Sequence, residues 1–594
     1  MNQRDKAASK LITAKNSNSA TTAQLEELKL LKKRVKGLIK CDFKIYGNNI
    51  LSKNDHSEIW KFIRKVSFTT PKGQGVSMDP YLLNNYFANI VQDPSGHSCL
   101  TPDLPDNEEA FQIRPITLEE VTRLLRSTNS RSSAGQDEIP GHLLNNYANS
   151  LSSSVCHIFN ESIEQSSFPK EWKKSNITAI WKNKGSKTEP SNYRPISIIP
   201  ILGRLLEKAV ATQLSAYCSA NQLIPVKQFG FRKKSSCEIA LLSATDKWMK
   251  QIDDGMVVGT LLIDLTKAFD SVPHQQLLSE LSAINCGLQS VAWFQSYLAD
   301  RFQRVTKQET LTPWKPVSRG VPQGSCLSPL LFNIYVRELP ATAKGDIWQF
   351  ADDVTQSEGA NDIETLVLKL EDGFQTTKQF CQSKQLEINA AKTQFIIFKH
   401  PSKKVPEDIE LMLESVPIKV QSQVKLLGVT LDKHLSFKEH ISNVVNTCNG
   451  LLGVLRRIAY LLPRKLSNLF YTAIIRSQLE YASALLVPVA KTHLEKLDVI
   501  QRKAARIICR VPSDCHADPL LQELGLQALQ ERRIKHLLNI VSSCLEGNCH
   551  PEFINIFVRD NASSKEELTL PASRTVVGKK RFSYVGADKF NTQI

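Results

Sequence analysis

The sequence predicts an α+β fold: a domain of mixed strands and helices followed by a helical one. Three observations predict it. MVVGTLLIDLTKAFDSV, residues 256–272, reads as a β-branched strand that stops at Asp264 and turns into a helix through Lys267, Ala268 and Phe269. QFADDVTQ, residues 349–356, reads as a hairpin with Asp352 and Asp353 at its tip. From Phe437 onward the apolar residues recur at helical spacing, with one stripe through Ile441, Val444, Val445, Cys448, Leu451, Leu452 and Leu455. A second runs through Leu494, Leu497, Ile500, Ala504, Ile507 and Ile508.

Taken in order, residues 24–40 place Leu28, Leu31, Val35 and Leu38 on one helix face with Lys and Arg between them, a basic amphipathic helix. The Pro-rich TPDLPDNEEAFQIRP marks a boundary. Three regions follow: a basic helical linker region over 1–110, the mixed domain over 111–430, and a helical region over 431–594. Within the mixed domain, GVPQGSCLSP holds Gly320, Pro322 and Gly324 in a tight loop whose backbone can approach a ligand, with the Gln323 amide free to hydrogen-bond. The most apolar stretch, PISIIPILGRLLEK, is interrupted by Pro200 and Arg204 and is too short to span a bilayer, so no membrane role is expected.

Charge sets the chemistry. The chain carries 75 Lys and Arg against 59 Asp and Glu, a formal charge of +16. A basic protein with a local acidic cluster fits a polyanionic partner, the carboxylates holding a cation. Adjacent ionised carboxylates such as Asp352 and Asp353 repel one another and are costly in an apolar setting unless bound to metal. Neighbouring strand residues point to opposite faces, which ranks Asp352 above Asp353 as a ligand. If Asp264 converges with them, hard oxygen donors of this kind select Mg²⁺. Two such ions suit in-line phosphoryl transfer.

The 13 cysteines are scattered and no secretory apolar segment follows MNQRDKAASK, which predicts reduced thiols in the nucleus or cytoplasm. Cys515, His516, Cys544, Cys549 and His550 come nearest to a zinc set, but their spacing fits no usual finger.

The order of GTLLIDLTKAFDSV, SRGVPQGSCLSPLLFNIYV, QFADDVTQ, LEINAAKTQFIIF and VKLLGVTL resembles the palm motifs of reverse transcriptases, specifically those of non-LTR retrotransposons of the jockey-like kind. Upstream, WKKSNITAIWKNKGSKTEPSNYRPISIIPILGRLLEK and KQFGFRKKSSCEIAL resemble the fingers motifs of that family. The resemblance runs from about Ala110 to Leu431, and five ordered motifs are far more specific than one. It implies a right-hand polymerase with fingers and palm over 111–430, the palm built on an antiparallel sheet, and a helical thumb from 431. It implies an RNA-directed DNA polymerase that extends a primer 3′-hydroxyl with dNTPs on an RNA template, using two Mg²⁺ ions or Mn²⁺ in their place.

By the same resemblance, Asp264, Asp352 and Asp353 correspond to the metal-binding carboxylates. Lys392 corresponds to the lysine that protonates the leaving pyrophosphate, and Phe269 to the aromatic gate against a ribose 2′-hydroxyl. Arg194 corresponds to the arginine that grips the triphosphate, with Lys182 a second candidate, and Gln323 packs near the incoming nucleotide. Leu426, Leu427 and Gly428 resemble the primer grip, whereas Lys267 and Asp270 read as local helix-start or ion-pair residues. Arg456, Arg457, Arg502, Lys503 and Arg506 would face duplex phosphates. Two departures stand out. Gln136 and Glu138 occupy places where relatives commonly carry Pro and Gly, and nothing before Ala110 has the length or acidic motifs of the endonuclease that usually begins such proteins, so the chain reads as a partial open reading frame.

Overall fold

The computed structural model describes residues 22–53, 55–67, 78–89, 109–307, 310–406, 408–413, 416–560 and 567–593. The first part of the Pro-rich boundary, 101–108, and the N-terminal MNQRDKAASK lie outside these residues.

Two sheets organise the middle of the chain. The smaller joins β1 (Lys174–Trp181), β2 (Tyr193–Ile198), β5 (Arg301–Lys307), β6 (Thr310–Leu311) and β7 (Lys315–Val317), with β1 between antiparallel β2 and parallel β5. The larger has six strands in the order β12-β13-β11-β3-β9-β8. Its members are β3 (Val257–Ile263), β8 (Asp346–Phe350), β9 (Asp353–Ala360), β11 (Gln394–Phe398), β12 (Glu410–Leu413) and β13 (Val416–Gln421). It is antiparallel except where β11 meets β13, a short parallel pair that the antiparallel expectation did not include. Two short pairs complete the set: β4 (Leu265–Thr266) with β10 (Glu387–Ile388), and β14 (Gln423–Leu426) with β15 (Val429–Asp432).

Period-two alternation puts the two faces of the large sheet into different cores. Val257, Leu261 and Ile263 of β3, with Phe395 and Ile397 of β11, enter one core, while Val258, Ile396 and Phe398 enter the other. Eight helices bear on the site; seven border these cores, and the third packs Leu83 and Phe87 with Ile177 and Val305 in a smaller cluster of its own. They are α1 (Thr22–Lys53), α2 (His56–Ser67), α3 (Pro80–Ala88), α4 (Cys237–Asp253), α5 (Ile363–Ser383), α6 (Lys438–Ile458), α7 (Lys491–Cys509) and α8 (Leu529–Leu545). Leu366, Leu370 and Phe374 of α5 pack the first face, and Leu241 and Trp248 of α4 the second. Trp248 is fully buried, donates to Ser357 Oγ at 3.0 Å and stacks on Phe398 at 4.8 Å, so its loss to Ala would cost about 3–5 kcal/mol.

The second core is where the rest of the chain attaches. The stripe of α6 buries Ile441, Cys448, Leu452 and Leu455, and that of α7 buries Leu494, Leu497, Ile500, Ala504 and Ile508. The N-terminal region, expected as a helical linker, is helical over 22–53 and 56–67, but Ile50, Ile59, Phe62 and Ile63 are buried in this same core. A linker has no such obligation; these side chains join the folded body because they remove apolar surface from water. The C-terminal segment docks on α4. Asp253 accepts from the Thr575 backbone N–H at 2.7 Å, Asp246 from the Ser583 N–H at 2.7 Å, and Glu238 from the Ala484 N–H at 2.8 Å.

Candidate active site

The register of β3 against β9 decides whether the acids meet. Ile263 pairs with Val354, so the next step along both strands sets Asp264 beside Asp353. Strand parity turns both toward the face that carries the second core, since Ile263 and Val354 belong to the first. β8 and β9 form a hairpin closed by the Phe350–Asp353 pair, leaving Ala351 and Asp352 as a two-residue turn. Ala351 takes φ 59, the left-handed conformation that such a turn demands and that alanine adopts only under constraint. Asp352 is thus presented by the turn itself, while Asp353 is the first residue of a strand; this is how adjacent residues both come to the rim.

Electrostatics records the crowding. Asp353 is pushed up to about 6, first by desolvation and then by Asp352 and Asp264. Asp352 is also raised by burial and by Asp264, with its own backbone N–H and the Arg194 guanidinium pulling the other way. The Lys392 ammonium lies 3.4 Å from Asp264 Oδ2. Lys392 is held by a turn after β10, where its backbone N–H donates to Asn389 O at 3.1 Å and the Asn389 N–H donates to Asp264 O at 2.8 Å.

The donor set suits a hard divalent cation, being carboxylate oxygen throughout, with repulsion that a dication would relieve. Among the described residues no three His, Cys, Asp or Glu side chains are already drawn together at metal spacing. Asp264 is instead paired with Lys392. Cys515, His516, Cys544, Cys549 and His550, the loose set noted in the sequence, are not drawn together either among the described residues. His550 is instead buried with its ring stacked on Phe229 at 4.5 Å.

Cations ring the acids. Lys182, which follows β1, is lowered by burial and by Lys392, Arg194 and Lys267, so four basic groups share one neighbourhood. Lys182 Nζ donates to Ser191 O at 2.8 Å, and Arg194 projects from β2, exposed. Lys267, at φ 49 before the helical turn Ala268–Ser271, stands over the Tyr86 ring of α3 at 4.5 Å. Sequence reasoning left Lys267 as a local residue; only its position beside Lys182 and Lys392 puts it at the rim.

Phe269 is half-buried and stacks on Phe332 at 4.5 Å, which fixes the plane of its ring. In the GVPQG loop, Gly320 and Gly324 take φ 81 and 122, and a Cβ on either would stand 2.8 Å or less from the backbone of Asp270 or Ser197. Gln323 Nε2 donates to both carboxylate oxygens of Asp270 at 2.8 Å, so its amide oxygen is turned away from that acid. Asp270, in the wall of a cavity shared with Gln323, Ser197 and Arg319, is pushed up to about 6 by burial. Asp270 lies in the first turn of the helical stretch Ala268–Ser271, as expected, and its pairing with Gln323 comes in addition; no local pattern could reveal a partner 53 residues away.

Leu427 and Gly428 form the turn between β14 and β15, at φ 44 and 87, with Leu426 paired to Val429. Tyr481 Oη donates to Leu427 O at 2.6 Å and clamps that turn, which shares a small pocket with Asp353. Arg456, Lys503, Arg506 and Arg510 line a groove between α6 and α7 without an acidic neighbour in its lining. Glu138 adopts φ 57, the left-handed conformation that glycine takes without strain.

Residues 180–431 match the reverse transcriptase (RNA-dependent DNA polymerase) family model. Over this span the chain is similar to the reverse transcriptases of mobile elements. It is similar to "Probable RNA-directed DNA polymerase from transposon BS" of Drosophila melanogaster, 27% identical over 441 residues, which is 72% of this chain and 48% of that protein. It is also similar to "RNA-directed DNA polymerase from mobile element jockey" of the same fly, 26% identical over 463 residues, 75% of this chain and 49% of that one. The jockey protein of Drosophila funebris is 25% identical over 447 residues, 72% and 48% of the respective chains. The chain spans about half the length of the curated relatives it matches.

Proposed function

We propose that this chain is an RNA-directed DNA polymerase that adds dNTPs to a primer 3′-hydroxyl on an RNA template, in a right-hand arrangement. The small sheet with β2 supplies the fingers, the large sheet the palm, and α6 and α7 the thumb. One observation carries the reading: the register brings Asp264 to the strand end beside the Asp352–Asp353 turn, inside a rim of four cations.

Asp264, Asp352 and Asp353 would hold two Mg²⁺ ions, which when bound supply charge neutralisation at the attacking and leaving oxygens. Arg194, with its planar fork of donors, and Lys182 and Lys267 bind and orient the triphosphate. The Lys392 ammonium, freed from Asp264, donates a proton toward the departing pyrophosphate oxygen. The Phe269 ring, held in plane by Phe332, excludes a ribose 2′-hydroxyl. The Leu427–Gly428 turn lets backbone approach the primer end closely, and the groove cations neutralise duplex phosphates.

No helix of the described residues is long and apolar enough to cross a membrane. Work in the nucleus or cytoplasm fits the free thiols found at every described cysteine.

The test is incorporation of labelled dTTP on poly(rA) with an oligo(dT) primer in Mg²⁺, comparing the protein with Asp352→Ala. Extension abolished by the substitution is expected. No extension by either protein, with RNA still retained, overturns the polymerase reading and leaves a nucleic-acid-binding protein.

A further inference from the structure

The turn that presents Asp352 does not stand alone. Residues 227–229 of the KQFGFR stretch run beside the end of β8, where the Gln349 N–H donates to Lys227 O and the Phe229 N–H donates to Gln349 O, both at 2.8 Å. Between them the Gln228 side chain is fully buried. Its Oε1 accepts from the Ala351 N–H at 3.0 Å and from the Gly230 N–H at 2.9 Å. Ala351 is the left-handed residue immediately before Asp352. Gly230 lets the two segments close: a Cβ there would stand 2.4 Å from Ala351 N, and Asn333 Nδ2 holds the Gly230 carbonyl at 2.8 Å.

Gln228 Nε2, by contrast, has no hydrogen-bond partner among the described residues. A buried amide with an unsatisfied donor is unfavourable, so the stability of the core alone gives no reason for a glutamine here. Its acceptor does: it ties down the two N–H groups that a left-handed alanine and a close-packed glycine leave pointing inward.

The far side of this cradle is built by the C-terminal segment. His550 is buried and stacks on Phe229 at 4.5 Å. Glu552 pairs with Lys227 and accepts from Ser243 Oγ at 3.1 Å, and Ser243 in turn accepts from Trp348 Nε1 of β8 at 2.9 Å. Both neighbours of Gln228 and the strand it serves are thus gripped from residues 550–552, well beyond the region that matches the polymerase family.

We propose that Gln228 is a positioning residue that sets the backbone of the Ala351–Asp352 turn through its side-chain oxygen, and that His550 and Glu552 of the C-terminal segment hold Gln228 in place. The kinetic arm of the test rests on the polymerase reading; the exchange arm does not.

In the full chain, backbone hydrogen exchange over 349–354 is measured for the wild type and for Gln228→Met, which keeps the bulk and removes the acceptor. Gln228→Glu, which keeps an acceptor, and the double variant His550→Leu, Glu552→Gln complete the set. Exchange of the turn amides is expected to quicken at least tenfold in Gln228→Met and in the double variant, and to stay within threefold of wild type in Gln228→Glu, with α5 amides unchanged in all. In primer extension, Gln228→Met is expected to lose at least tenfold in kcat and to need more Mg²⁺ for half-saturation, with KM for dTTP within twofold. Unchanged turn exchange in Gln228→Met overturns the positioning role. Unchanged exchange in the double variant overturns the C-terminal hold even if Gln228→Met fails to fold. An inactive wild type with the expected exchange pattern would remove the polymerase reading and leave the cradle standing.

Discussion

Asp353→Asn should make the protein more stable while disabling it. Asp353 is held up to about 6 from an ordinary 3.8, chiefly by desolvation and then by Asp352 and Asp264. Two pKa units correspond to about 3 kcal/mol if the full interaction survives. Asp353 sits at the exposed lip of the site, so solvent screening cuts the expected gain to about 1 kcal/mol. The sign follows from proton linkage. The folded chain keeps this proton to higher pH than the unfolded chain, so stability is lost as pH rises from about 4 to about 6, and the full penalty persists above that window. The variant should therefore match the wild type at about pH 4 and exceed it at about pH 8, by about 1–3 °C in a chain of this size.

Thermal melts across that range provide the assay, repeated with Mg²⁺ at the upper pH. A ligand that binds only the folded state stabilises it by mass action, so Mg²⁺ should raise the wild-type melting point more than that of the variant. Equal melting points at the upper pH would refute the repulsion argument. Equal gains from Mg²⁺ in both proteins would refute the assignment of Asp353 to the cation.

Phe269→Val removes the ring stacked on Phe332 and should raise rNTP incorporation relative to dNTP at least tenfold; unchanged discrimination on paired primer-extension gels would remove the gate assignment. Gly230→Ala places a Cβ 2.4 Å from Ala351 N, so it should destabilise the fold by about 1–3 kcal/mol and abolish extension, as denaturant titration and the dTTP assay would show. Arg456→Glu with Lys503→Glu should weaken duplex affinity in every sequence and flatten the slope of log K against log salt by about 2, read by fluorescence anisotropy.

The elements of the site were legible in the sequence wherever the signal was local. A β-branched run ending at Asp264 and an apolar approach to Asp352 and Asp353 followed by Val354 specify a strand end and a hairpin, because side-chain alternation and turn chemistry act over a few residues. The GVPQG loop was legible for the same reason, as its glycines sit at left-handed positions. The stripes of α6 and α7 were too, since helical periodicity is carried by each helix alone.

What the tertiary structure alone decided is which of these pieces touch. Asp270 reads as a helix-start acid until the GVPQG loop folds against it and Gln323 takes both its oxygens. Lys267 becomes part of the cationic rim only when β1 and the turn after β10 bring Lys182 and Lys392 beside it. Gln228 reads only as part of a fingers motif and His550 only as part of a loose Cys and His set, yet together they back the turn that presents Asp352. The helices of residues 22–67 are basic and polar enough to read as a linker, and their four buried apolar side chains declare a core only once α6 is there to cover them. Local sequence determines backbone shape through short-range sterics and hydrogen bonds. Burial, pairing and shifted acidity depend on partners tens to hundreds of residues away, which are set only when the sheet and its two cores have closed.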